Sequence, residues 1–438
     1  MRIVQVFNRY RSGFGGEFHV VEQDCRFLRA RGHEVLTLER DGGAITGLVG
    51  KAAALLAGAY SWKARAEMDR LLRKTPPDIV HVHNLYPLLS PSVHDACATH
   101  RIPVITSVHN LGLVCPVGTQ MRGRAECRKC ERGAEHWCLI HKCGGSIAVS
   151  AACALRSAVA RRARLFTRNV GRFVVPSWFV RERVVAAGIP DGAVVEVPHC
   201  VDPPPPATPE NGRYAAFAGR LHLLKGVGTL LAAAAHFPHL PVLIAGDDPL
   251  RDVLEKKATP NVSFYGYLQG QELDAFYRGA CFAVVHSRGL ESFGLAAAEA
   301  MSCGVPVVAS RSGALPEVLG TELESLLFTP GNADELSTRM ALLWERRKLV
   351  RELGLRARER VLQEFGEELY VTRLTGIYRD ALLRGQKDRD DSRQGDRGVQ
   401  TMFHHNGPTG QKRAGLKRLG MAPSSLAVIE FAVETPHP

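Results

Sequence analysis

The sequence predicts an α/β protein built from two doubly wound, parallel-sheet domains, and three observations carry that expectation. At 438 residues the chain is longer than one hydrophobic core usually serves. Strand-length apolar runs alternate with glycine-bearing loops and amphipathic helices in both halves. The pattern opens the chain as RIVQVF followed by GFGGEFHVVEQDCRFLRARGHEV, and returns as RYAAFAGRLHLLKGVGTLL. Between residues 281 and 318, CFAVVHSRGLESFGLAAAEAMSCGVPVVASRSGALPEV reads as strand, loop, helix, strand and turn, a βαβ unit.

The first unit places Gly15 and Gly16 at a helix start, where backbone amides can approach an anion closely. Gly13-Phe14-Gly15 begins like a dinucleotide fingerprint, but Phe18 stands where the third glycine belongs, which argues against a dehydrogenase. PPDIVHVHN is a strand with His81 and His83 on one face, and His81 reads as structural. The next strand, IPVITSVHN, ends at His109, in the position where ligands collect on such sheets. Within residues 115–143, Cys127-x2-Cys130 and Cys138-x4-Cys143 offer four thiolates, which points to a structural zinc site. Cys115, His136 and His141 are rival ligands, and unbound thiols or a redox pair are the alternative. Arg156, Arg161, Arg162, Arg164 and Arg168 then give a basic helix, suited to solvent or, with the apolar stretch AITGLVGKAAALLAGAYSW at 44–62, to an anionic membrane face.

VDPPPPATPENG is too proline-rich for either core and reads as a linker. In the second half, Arg220 and Lys225 follow a strand end, where a guanidinium and an ammonium suit a diphosphate. Glu291 lies in the loop before the GLAAAEAM helix, and Glu299 lies inside it. Eight helical residues rise about 12 Å, roughly the reach of a nucleotide sugar from sugar to ribose. From about Gln386 the chain is charged and aperiodic, so residues 385–438 read as a disordered basic tail.

Composition narrows the function. A hydrophobic fraction of 45% with 23% charged residues is ordinary for a soluble α/β protein, whereas a formal charge of +12 and a pI of about 9.3 suit anionic partners. No nucleic-acid-binding motif accompanies the charge. No signal-peptide core or membrane-length apolar run is present, and several of the eleven cysteines fall in apolar runs. A cytoplasmic protein is expected, docked if anywhere on the inner face of the membrane.

ESFGLAAAE resembles the Glu-x7-Glu signature of retaining glycosyltransferases of the GT-B fold, notably glycosyltransferase family 4. HSRGLESFGL, AMSCGVPVVAS and GALPEV follow the same family in order, and the resemblance covers roughly residues 1–384. It implies two Rossmann-like domains facing a cleft. Residues 1–200 would be the acceptor side, 201–212 the linker, 213–365 the donor domain and 366–384 a helix crossing back to the first domain. It further implies transfer from a nucleotide-diphosphate sugar to a saccharide or lipid-linked acceptor, in cell-surface polysaccharide or glycoconjugate synthesis, with no catalytic metal or organic cofactor. Glu291 would hold the donor sugar with His109, Glu299 the ribose, and Arg220 with Lys225 the diphosphate. The amides of Phe293, Gly294 and Leu295 would lie on the phosphate, with Gly15 and Gly16 facing the cleft. Two positions depart from the family, which usually has glycine where Cys200 and Asp248 stand. Asp247-Asp248 is adjacent rather than spaced as a metal-binding Asp-x-Asp. The alternatives are a GT-B-fold nucleotide-sugar epimerase and a non-catalytic nucleotide-sugar-binding protein at the membrane.

Overall fold

Strands buried on both faces must be apolar throughout, and the short runs of this chain meet that condition. The computed structural model describes residues 1–9, 16–42, 57–86, 88–247 and 250–402, with side chains as far as 385. Gly15, Asp248, most of the apolar stretch 44–62 and the last residues from 403 lie outside the described residues. The first lobe contains β1 (Arg2–Arg9), β2 (Glu34–Asp41), β3 (Ile79–Val82), β4 (Val104–Ser107), a small hairpin of β5 (Met121–Arg122) and β6 (Ala125–Glu126), β7 (Arg172–Val175) and β8 (Val194–Glu196). Its main sheet runs β2-β1-β3-β4-β7-β8, parallel throughout.

The second lobe contains β9 (Ala215–Ala218), β10 (Val242–Ala245), β11 (Val262–Gly266), β12 (Phe282–Val285), β13 (Val307–Ser310) and β14 (Leu327–Phe328). The order is β11-β10-β9-β12-β13-β14, again parallel. This is the doubly wound order 3-2-1-4-5-6, whose direction of winding reverses between its first and fourth strands. Here that reversal falls between β9 and β12, so the loops after these two strands open on one crevice. Two Rossmann-like lobes make this a GT-B fold.

The chain crosses between lobes twice, and the crossings touch, since the Val201 amide donates to the Phe365 carbonyl at 3.0 Å. After the second crossing, the helix Glu367–Met402 lays Tyr370, Val371, Leu374, Ile377, Tyr378 and Ala381 into one core with Ile3, Phe7, Leu28 and Ile105 of the first lobe. Met1–Lys387 forms one compact unit. Asp388–Pro438 is a second unit, and its described part is helical to Met402, past the point where apolar periodicity fades in the sequence.

The basic helix is Ile147–Arg162, so Arg164 and Arg168 lie beyond its end, and three of the five arginines have partners. Arg156 lies 4.0 Å over the Tyr86 ring and donates to the Pro116 carbonyl at 2.7 Å. Arg161 pairs with Glu135 at 2.7 Å, and Arg168 with Asp95 at 2.8 Å. Arg162 and Arg164 stay exposed.

Candidate functional site

The loop after β9 turns through a short 3-10 helix, Leu223–Lys225, ended by Gly226 in the left-handed conformation at φ 73°. A side chain at Gly226 would place its Cβ 2.5 Å from the His286 carbonyl, so glycine alone fits where the loops after β9 and β12 meet. His286 stacks on Phe217, with ring centroids 4.7 Å apart, and its Nδ1 bonds the Lys225 carbonyl at 2.6 Å. The amides of Arg288 and Gly289 both donate to the Leu224 carbonyl at 2.8 Å. These bonds clamp the two loops together and set the positions of their charged side chains.

Lys225 Nζ thereby lies 2.6 Å from Glu291 Oε1, and the Ser287 hydroxyl donates to the same oxygen. Burial alone would raise the Glu291 pKa. The Lys225 ammonium, the bonds from Lys225 and Ser287, and the charge of Arg220 outweigh it and hold the carboxyl below its ordinary value. Glu291 is fixed from behind by Gly313, whose Cβ position would lie 2.1 Å from the Glu291 carbonyl oxygen. Arg220 is exposed at the crevice.

Next to Glu291 begins the helix Leu295–Ser302. Its cap residue Gly294 is left-handed at φ 105°, and no side chain caps it. Phe293 turns its ring into the seam between lobes, against His199 at 5.2 Å and Phe365 at 5.2 Å. Glu299, in the second turn, is pushed up to about 7, mainly by burial and then by Asp274. Tyr267 and Tyr277 lie near enough to feel its charge.

The first lobe faces this crevice with Gly16, His109 and His199. A Cβ at Gly16 would lie 2.7 Å from Leu295 Cδ1, so the first helix of the chain starts directly against the second lobe's helix. His109 Nε2 lies 2.9 Å from His83 Nδ1, its Nδ1 has no partner among the described residues, and burial lowers its pKa to about 4. His109 also stacks on His199, centroids 5.5 Å apart. Two further contacts join the lobes. The Ser177 hydroxyl donates to the Ser292 carbonyl at 2.7 Å, and Glu317 accepts from the amides of Trp178 and Phe179 at 2.8 and 2.7 Å. Glu317 thus sits at the N-terminus of the helix Trp178–Ala186, where the helix dipole favours a carboxylate.

Two family descriptions match this chain in tandem. "Glycosyltransferase Family 4" spans residues 14–204 and "Glycosyl transferases group 1" spans residues 202–360. The chain belongs to these glycosyltransferases. A sulfoquinovosyl transferase of Arabidopsis thaliana is 35% identical over 146 residues, which is 32% of this chain and 28% of that protein. A D-inositol 3-phosphate glycosyltransferase of Saccharomonospora viridis is 33% identical over 192 residues, covering 40% of this chain and 44% of that one. The chain therefore spans less than half the length of these curated relatives. Among solved structures, sucrose-phosphate synthase from Thermosynechococcus elongatus superposes with a TM-score of 0.64 at 20% identity, covering 88% of this chain and 100% of that one. Anabaena HepE in complex with UDP-glucose gives 0.60 at 16% identity, covering 86% of this chain and 99% of that one. At these identities the likeness concerns the fold.

In this glycosyltransferase the crevice gathers Arg220, Lys225, Glu291, Gly294 and Leu295 from the second lobe, with Gly16 and His109 from the first. Ser287 and His286 escaped sequence reasoning although they stand in the same stretch as Glu291. His199 also escaped it, and its signal was its place beside Cys200 at a known departure. His83 proves to be part of the buried first-lobe network, bonded to Gln5 Oε1 at 2.6 Å as well as to His109. All four cysteines of the expected zinc set are free thiols in one module.

Proposed function

We propose that the crevice binds a nucleotide-diphosphate sugar and transfers its sugar, with retention of anomeric configuration and without a catalytic metal, to an acceptor held by the first lobe. The carrying observation is the Lys225–Glu291 contact of 2.6 Å, because it joins a cation suited to a diphosphate with an ionised acceptor suited to sugar hydroxyls. The bond between the anomeric carbon and the diphosphate oxygen breaks, and the acceptor oxygen bonds to that carbon from the same face. The acceptor's proton passes to the departing phosphate. Arg220, Lys225 and the uncapped amides at Gly294 and Leu295 offset the negative charge that grows on the diphosphate. Glu291 receives hydroxyls of the donor sugar, the partnerless His109 Nδ1 offers a further contact from the other lobe, and Glu299 receives the ribose hydroxyls.

The acceptor side carries its own support. Leu139, Ile140, Ile147, Val149 and Leu155 are exposed near the exposed Lys142, Arg162 and Arg164. Apolar and basic surface together suits an anionic membrane face and a lipid-linked acceptor. No helix among the described residues is long and apolar enough to cross a membrane.

A thermal-shift panel of UDP-, GDP- and ADP-sugars tests the donor site, with UDP-glucose first because HepE was solved with it. One nucleotide should raise the melting temperature. Product formed with that donor and a membrane extract should keep the donor's anomeric configuration by NMR. Donor turnover at full rate without any acceptor would replace transfer by epimerisation, and no response to any nucleotide sugar would end the proposal.

A further inference from the structure

A neutral imidazole carries one hydrogen on two nitrogens, and the partner of one nitrogen decides which of them holds it. Three imidazoles meet at the centre of the first lobe. His81 lies in β3 and His83 just after it, with ring centroids 4.2 Å apart, and His109 lies just past the end of β4. His81 and His83 are buried, whereas His109 is only partly so. His109 stacks on His83 at 5.1 Å and on His199 at 5.5 Å, and the His199 ring meets Phe293 in the loop before the helix Leu295–Ser302. His109 is therefore the member of the group that faces the crevice, and the others stand behind it.

The hydrogen bonds behind His109 fix its tautomer. Gln5 projects from β1, whose register sets it beside His81 of β3. Its Oε1 lies 2.6 Å from His83 Nε2 and can only accept, so His83 Nε2 holds the hydrogen. A second acceptor, Asp24 Oδ2, stands 3.9 Å from the same nitrogen, while Asp24 Oδ1 accepts from the Tyr370 hydroxyl at 2.6 Å. With its hydrogen on Nε2, neutral His83 has a bare Nδ1. His109 Nε2 faces that atom at 2.9 Å and must donate to it. This uses the one hydrogen of His109, and its Nδ1 is left a lone pair with no partner among the described residues. Both rings are neutral near pH 7. Burial, and then the neighbouring His81, His109 and His199, hold His83 well below its ordinary value, and burial lowers His109 to about 4.

We propose that Gln5 and His83 are positioning residues that hold His109 with its hydrogen on Nε2, so that His109 meets the donor sugar only as a hydrogen-bond acceptor. A hydroxyl of the sugar, or the N–H of an amide substituent on it, satisfies such an atom. A phosphate oxygen has no hydrogen to give at neutral pH and would set lone pair against lone pair. The relay therefore directs His109 to the sugar and leaves the diphosphate to Arg220 and Lys225. It also favours a donor with a hydroxyl at that place over the deoxy analogue, because a buried acceptor is costly to leave unpaired. The inference rests on the donor reading above for what meets His109, whereas the tautomer itself is a property of the free protein.

Long-range proton–nitrogen NMR of the full chain, carrying isotope-labelled histidine and held near neutral pH, reads the tautomers directly. Spectra of His83→Gln and His109→Gln identify the two residues. Wild type should show a protonated Nε2 and a bare Nδ1 in both. Gln5→Met keeps the side-chain length but removes the acceptor, so part of His109 should shift its hydrogen to Nδ1. The same variant should bind UDP-glucose about tenfold more weakly and UDP as tightly as wild type does, a split that a general loosening of the fold would not give. A hydrogen on His109 Nδ1 in wild type would overturn the proposal. So would an unchanged His109 tautomer in Gln5→Met, or a loss of UDP affinity equal to the loss for UDP-glucose. If Gln5→Met does not fold, the wild-type spectrum still decides the tautomer. Failure of wild type to bind either nucleotide would count against the donor reading, and the spectrum would again decide the tautomer.

Discussion

The two lobes share one sheet architecture but treat polar groups in opposite ways. In the first lobe a buried polar chain, closed to solvent, is paired mostly within itself, although Gln5 Nε2 and Asp24 Oδ2 lack a partner among the described residues. Tyr370 donates to Asp24 at 2.6 Å, Tyr378 bonds His81 at 2.8 Å, His81 bonds Ser107 at 2.8 Å, and His83 joins Gln5 to His109. In the second lobe, at the crevice between β9 and β12, the polar groups are left incomplete. Arg220 is exposed, and the helix at Leu295 has no side-chain cap. A network closed to solvent stabilises a fold, whereas charged groups open to a crevice have capacity for a ligand. His109 stands at the boundary, with one nitrogen in the closed network and the other free.

Breaking the open side should give the largest effect. Lys225→Ala removes the cation nearest Glu291 and should lower turnover by about 3 kcal/mol, on the order of a hundredfold or more. Arg220→Ala should cost turnover and nucleotide affinity without changing the urea unfolding midpoint. Steady-state kinetics on both variants check this, and wild-type rates would remove the donor-site assignment.

The next effect is a pH dependence of about tenfold. With its pKa near 7, Glu299 is partly protonated at neutral pH, and only the carboxylate accepts both ribose hydroxyls. Nucleotide affinity should therefore rise about tenfold from about pH 6 to about pH 8, and Glu299→Gln should flatten the profile. For stability the sign is opposite. The folded state keeps a proton that the unfolded chain has lost, so this residue's contribution falls as pH rises from 4.5 to about 7. Calorimetric titrations across this range read the affinity.

The smallest effect on activity should come from the closed side. Tyr378→Phe leaves His81 Nδ1 buried without its partner and should cost about 1–2 kcal/mol of stability, measured by urea unfolding. Donor affinity should hardly change.

The same contrast explains what could be read from the sequence. The open site was legible because one continuous stretch, 281–318, supplies the strand, the loop with Glu291 and the helix with Glu299, and GRLHLLKG supplies the cations. Alternating strands and helices likewise announced both sheets. The closed network was not legible, because Tyr378 reaches His81 across 297 residues and nothing in local spacing marks that pairing. His199 stacks on His109 from the far end of the lobe. The arginines between 156 and 168 looked free in sequence, but Glu135, Asp95 and the Tyr86 ring take three of them. Such partners come from chain crossings, and periodicity carries no record of those.

The central claim is that the open crevice of the second lobe, and not the polar network of the first, binds the nucleotide. Calorimetric titration of the nucleoside diphosphate selected by the donor panel into wild type, Arg220→Ala and Tyr378→Phe tests it most directly. The expected result is binding lost or greatly weakened in Arg220→Ala alone, with Tyr378→Phe close to wild type. Unchanged binding in Arg220→Ala, with the loss appearing in Tyr378→Phe, would contradict it.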